Sequence, residues 1–126
     1  MHEKHLYEYA VIRVVPRVER EEFINIGLML FCKRQKYLRI QYQIPETKIS
    51  LFCPDFDVEQ LRHNLESFSK ICQGKNGGPI AHFELAERFR WITAVKSSSI
   101  QTSRPHTGLT SDLDVTFEKL YIELVL

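Results

Sequence analysis

Three runs decide the fold class: YEYAVIRVV at residues 7–15, INIGLMLFC at 24–32 and YLRIQYQI at 37–44. All are rich in the β-branched and aromatic side chains that sit well on a pleated surface. In the first run, apolar residues occupy both alternation sets apart from Glu8 and Arg13. The second is also apolar at both parities. Strands of this kind are expected to be covered on both faces. The third run alternates, with Leu38, Ile40, Tyr42 and Ile44 on one side and Arg39, Gln41 and Gln43 on the other, as in a half-buried strand. The polar turn Lys33–Lys36 makes it the antiparallel neighbour of the second run. Gly27 marks a bulge or a close backbone approach. Pro16 ends the first run, and the charged segment 17–22 can form one helical turn. Arg13 in an apolar strand needs a partner, and Glu21 or Glu22 is placed to supply it.

Helical signals take over downstream. Pro45 opens a short segment reaching Phe52. Asp57 with Gln60 forms a capping box ahead of a stripe of Val58, Leu61, Leu65, Phe68 and Cys72, and Gly74 is placed to end that helix. The helical period resumes from Ile80 to Ile92. Segment 97–110 reads as a strand or loop that turns at Arg104–Pro105 and returns through His106, Thr107 and Gly108. Ser111 with Asp114 offers a second capping box before a helix burying Leu113, Phe117, Leu120, Tyr121 and Leu124. Strands first and helices afterwards predict an α+β fold: a small, mostly antiparallel sheet of about three to five strands with helices packed against it.

Bulk properties narrow the function classes. A chain of 126 residues suits a single domain over 1–126. A formal net charge of +1 creates no far-reaching field for nucleic acid, so such binding would need a local basic patch. The longest apolar run, 23–32, is about half of a bilayer span, and the N-terminus does not read as a secretory signal. No membrane partner is expected. Cys32, Cys53 and Cys72 are odd in number and widely spaced, which points to reduced thiols and a cytoplasmic location. His2 and His5 are spaced for one helical face, but a loose terminus explains them better than a metal site, and neither His63 nor His82 has a companion at ligand spacing. Neither a metal nor a cofactor is expected.

The most suggestive chemistry lies between Arg88 and Gly108. Arg88, Arg90, Lys96, Ser98, Ser99, His106 and Thr107 mix cations with hydroxyls, and Gly108 allows close backbone approach. That is the composition of an oxyanion site, where charge attracts and hydroxyls direct the bonds. The same residues also suit a solvated helix end followed by a turn, with Ser and Thr satisfying local backbone groups. No phosphate-loop motif and no nucleophile motif is present. Trp91 is placed to stack a base but reads more simply as a core anchor.

Two stretches, residues 7–32 and 88–94 continuing through IQTS at 100–103 and HTGLT at 106–110, resemble a bacterial family catalogued as domain of unknown function 3037. The likeness runs over nearly the whole chain. It brings no catalytic residues with it. It does imply a partner, because members of that family are often encoded beside kinase-like proteins similar to the HipA toxin group. Lys96 stands where the family pattern leads one to expect arginine, which keeps the charge but gives up fork-like anion binding.

Two functions fit these residues. One is a non-catalytic interaction or regulatory module working with a kinase-like protein. It predicts an exposed apolar surface or an unpaired sheet edge. The other is a binding domain or enzyme for a phosphorylated small molecule or nucleic acid, built on loop 96–108, with His106 as its first acid–base candidate. The absence of any catalytic motif favours the first.

Overall fold

Strand β1 (His5–Val14) is the axis of the sheet. Its consecutive residues Ala10, Val11 and Ile12 are all buried, so both of its faces lie under other elements in that half of the strand. The computed structural model describes residues 3–17, 20, 22–75, 78–94 and 99–126. After β1 come β2 (Ile24–Cys32), β3 (Tyr37–Tyr42), α1 (Glu46–Phe52) and α2 (Val58–Gln73). A 3-10 turn at Pro79–His82 leads into α3 (Leu85–Ala94), β4 (Ile100–Thr102), β5 (His106–Thr110) and α4 (Leu113–Leu124). The fold is α+β, and all pairings in the five-stranded sheet are antiparallel. The lateral order is β3-β2-β1, with β4 and β5 both lying on the far side of β1.

Each face of the sheet carries its own core. On one, Ile12, Val14, Ile26, Met29 and Phe31 pack against Ile49 of α1, Leu61, Leu65 and Phe68 of α2, and Phe89 and Ile92 of α3. Phe31 and Phe89 stack with ring centroids 5.1 Å apart. On the other, Val11, Leu28, Leu30 and Cys32 pack against Leu113, Phe117 and Tyr121 of α4. Along β2 the first face takes Ile24 and Ile26, then Met29 and Phe31, so the alternation shifts by one residue. The cause is a bulge: Ile12 faces Gly27 but Arg13 faces Asn25. Gly27 is required there because a Cβ would come within 2.9 Å of the Tyr42 Cβ and 3.0 Å of the Gln41 carbonyl oxygen.

The half-buried reading of β3 holds for its apolar side, where Leu38, Ile40 and Tyr42 join the first core. Its polar side is occupied too. The Arg39 guanidinium lies 4.1 Å over the Phe117 ring and pairs with Asp114 and Glu118, while the Tyr37 hydroxyl donates to Asp114 at 2.7 Å. Burial and that carboxylate push the Tyr37 phenol up to about 12. Arg13 has a different partner from the one its surroundings in sequence suggest: its guanidinium lies 4.3 Å over the Phe23 ring, and Glu22 pairs with Arg20. Glu21 lies outside the described residues, as do 18 and 19 of the helical turn expected at 17–22.

Helix boundaries follow local chemistry. Asp57 caps α2 by accepting from the Gln60 N–H at 3.0 Å, but the Gln60 side chain turns forward to Asn64, so only half of the capping box forms. Gly74 ends α2 in the left-handed conformation, φ 72°. Instead of one helix over 80–92, the chain makes a 3-10 turn and a new start, because Pro79 opens a short turn that stops at Phe83. The cap of α4 is Asp112 rather than Ser111: its carboxylate accepts from the Val115 N–H at 3.1 Å.

Segment 100–110 does not turn back at Arg104–Pro105. Thr102 faces Ile12 and His106 faces Tyr9, so β4 and β5 run on in one direction along β1, with one extra residue between them. Ser103 holds the break together. Its N–H donates to the Val11 carbonyl at 2.8 Å, and its side-chain oxygen accepts the Val11 N–H at 2.9 Å. A hydroxyl thus replaces the missing strand carbonyl, and Ser103 is buried for that reason.

Candidate functional site

The helices leave one quarter of the sheet open. α1, α2 and α3 cover the first face where β1 carries Ile12 and Val14, whereas β5 lies beside Leu6 and Glu8 at the other end of β1. There Leu6 faces Leu109 across the strands, and both are exposed, at 62% and 64%. Two large apolar side chains paired on a sheet face and left in water are an unusual use of strand positions.

The floor and walls of this open quarter form three adjoining depressions. The largest, about 650 Å³, is lined by Lys4, Leu6, Lys33, Arg34 and Leu109. The second, about 490 Å³, shares Leu6 and Lys33 and adds Glu8, Phe31, Ala86, Arg90 and Thr107. The third, about 410 Å³, continues past Lys33 and Ala86 to Lys36, Glu84 and Leu85 at the start of α3. The groove is therefore apolar at its floor and cationic at its rim. Lys4, Lys33, Arg34, Lys36 and Arg90 stand against Glu3, Glu8 and Glu84 around it. Two of these carboxylates are engaged, Glu8 with Arg90 at 3.7 Å and Glu3 with Arg34 at 3.5 Å. In a chain whose net charge is only +1, this is a local concentration of positive charge.

The residues singled out between 88 and 108 go to different places. Arg90 and Thr107 meet in the groove. Arg88 instead closes the end of α2: Nη1 donates to the carbonyls of Ile71 and Cys72 at 3.0 and 3.1 Å, and Nε to that of Phe83 at 3.0 Å. His106 stands on the opposite face, stacked on Tyr9 with centroids 5.2 Å apart. The Ser99 carbonyl accepts from the Val15 N–H at 2.8 Å, continuing the strand pairing. Lys96 and Ser98 lie outside the described residues. Gly108 does allow a close approach, but the group that approaches is the Tyr7 ring, which occupies the space a Cβ would need. Trp91 is partly exposed, at 39%, and Phe89 is the core anchor beside it.

The groove residues Leu6, Lys4, Lys33 and Arg34 carry no motif and are missed by reading along the chain. The cationic turn at 33–36 and the single leucine of HTGLT become neighbours only once β5 pairs with β1. The thiols take no part: burial pushes Cys72 up to about 12, and its sulfur lies 3.7 Å from that of Met29 in the core. Among the described residues no group of His, Cys, Asp and Glu is arranged to hold a metal ion, and no helix is long and apolar enough to cross a membrane.

No curated protein and no solved structure matches the chain. A family model does, over residues 9–125, which runs from Tyr9 within β1 through the end of α4. It takes in β2 to β5 and both helical layers, but not Lys4, Leu6 and Glu8 at the start of the chain's first strand. The chain belongs to the family described as protein of unknown function, DUF3037.

Proposed function

We propose that this domain is a non-catalytic interaction module that docks a partner protein, of the kinase-like type that the family resemblance implies, on the open quarter of its sheet. The observation that carries this reading is the Leu6–Leu109 pair, two exposed leucines side by side at the centre of a cation-rimmed groove. Leaving them in water forgoes burial worth about 1.5–3 kcal/mol each, which a docked partner recovers. The rim adds selectivity and speed of encounter more than affinity. Around the groove, the charged groups are lysines, arginines and three carboxylates, two of which are paired with arginines, which suits recognition better than proton transfer.

The test is co-purification with a co-expressed kinase-like protein of the type that the family resemblance implies, using the natural chain and a Leu6→Asp/Leu109→Asp variant of unchanged circular dichroism. The natural chain is expected to hold the partner through gel filtration and the variant to lose it. A complex that survives both substitutions would remove this face from the interaction.

A further inference from the structure

The geometry points to one kind of occupant for the groove: an extended, acidic–apolar segment of the partner that adds as a strand to the outer edge of β5. The inference rests on the interaction-module reading and gives that site its ligand chemistry.

The first support is the direction of the backbone groups. Val11 exchanges bonds with Ser103, and the Val15 N–H donates to the Ser99 carbonyl, so the odd-numbered residues of β1 turn their backbone toward β4 and β5. The opposed pairs Tyr9–His106, Tyr7–Gly108 and His5–Thr110 are therefore the ones joined by ladder bonds. Thr107 and Leu109 turn their own N–H and C=O groups outward, and among the described residues β5 pairs with β1 alone. An edge of this kind is the template for strand addition.

The second support is that the same two residues aim their side chains into the groove. A strand hydrogen-bonded to Thr107 and Leu109 places every second side chain on the groove face, next to the Leu109–Leu6 pair. Apolar residues at those positions cover the leucines. The third support is charge. Lys4, Lys33 and Arg34 line the same depression as the leucines, and among the described residues no carboxylate lines it, Glu3 reaching only Arg34 from the rim at 3.5 Å. Acidic residues in the added segment meet these cations, while a basic segment is repelled.

The probe is a short synthetic peptide alternating glutamate with valine and leucine, compared with its lysine-for-glutamate counterpart by fluorescence anisotropy and two-dimensional NMR on the full chain. The acidic peptide is expected to bind, to slow amide exchange at Thr107 and Leu109, and to weaken as salt rises. Thr107→Pro removes one outward N–H but none of the bonds to β1, so the fold is kept while binding falls by about tenfold or more. Lys33→Glu/Arg34→Glu is expected to weaken the acidic peptide by about tenfold and to reverse the preference between the two peptides. Absence of binding, equal binding of the lysine peptide, or affinity untouched by Thr107→Pro would overturn the inference. So would tighter binding to vesicles of anionic phospholipid than to the acidic peptide. The two readings fail separately. If the Leu6/Leu109 variant loses the kinase-like partner but the acidic peptide does not bind, the module stands and strand addition falls. If that variant keeps the partner, the module reading falls first.

Discussion

The two ends of β1 make opposite use of the same sheet face. At one end Ile12 and Val14 lie under α2 and α3, sealed by the stacked Phe31 and Phe89. At the other, Leu6 stands in water beside Leu109. Pairing of β1 with β2 runs on between them, and α4 covers the reverse side near both, through Val11 at one end and Tyr7 and Tyr9 at the other. The difference therefore lies in where the helical layer stops and not in the sheet itself. α3 begins at Leu85 and crosses toward β4, so its flank, with Ala86 and Arg90, becomes a wall of the groove instead of a lid. One face thus carries both the stabilising core and an open groove floored by leucines.

The comparison is broken most severely by emptying the covered end. Phe89→Ala is expected to cost about 3–5 kcal/mol, read by urea denaturation, because a fully buried ring leaves a cavity over Phe31. A loss under about 1 kcal/mol would mean that α3 is held by other contacts. Next in size is the junction between the two ends. Ser103→Ala leaves the Val11 N–H without its acceptor and is expected to cost about 1–3 kcal/mol, with faster hydrogen exchange confined to Val11 and its neighbours.

Smaller still is the cap of the helix beneath the open end. Asp112→Ala should cost about 1 kcal/mol in thermal unfolding, whereas Ser111→Ala should be nearly silent. Equal effects would assign the cap wrongly. The smallest change is expected at the open end: Leu6→Ser and Leu109→Ser should each stay within about 0.5 kcal/mol of the natural chain. A drop comparable to that of Phe89→Ala would show that these leucines belong to the core after all and would erase the contrast between the two ends.

Much of the sheet is legible before any coordinates. The runs beginning at Tyr7, Ile24 and Tyr37 all form strands, the second covered on both faces and the first only from Ala10 onward, and Gly27 does mark a bulge. These readings succeed because alternation and β-branching report burial on each face independently of what does the burying. The misreadings are equally specific. Arg104–Pro105 carries turn residues, yet the chain runs straight on, because Ser103 can satisfy Val11 with its side chain and the extra residue is absorbed as a bulge. Arg88 resembles an anion ligand by composition but is spent on carbonyls at the end of α2, a partner 16 residues away in sequence that no local pattern reveals. Thr107 and Arg90 do come together, across a strand and a helix, while His106 next door faces away, since adjacent strand residues must point to opposite sides.

By itself, then, the sequence determines the α+β class, the core-facing positions of the strands, the start of α2 at Asp57 and its end at Gly74, and the family. These follow from short-range physics: side-chain periodicity, capping and backbone permissiveness act over a few residues. Only the tertiary structure decides that β4 and β5 share one edge, that α4 takes the second face, and that Lys4, Leu6, Lys33, Arg34 and Leu109 surround one groove. Those outcomes depend on where packed layers end, and the edge of a layer is set by long-range contacts that no local run of residues encodes.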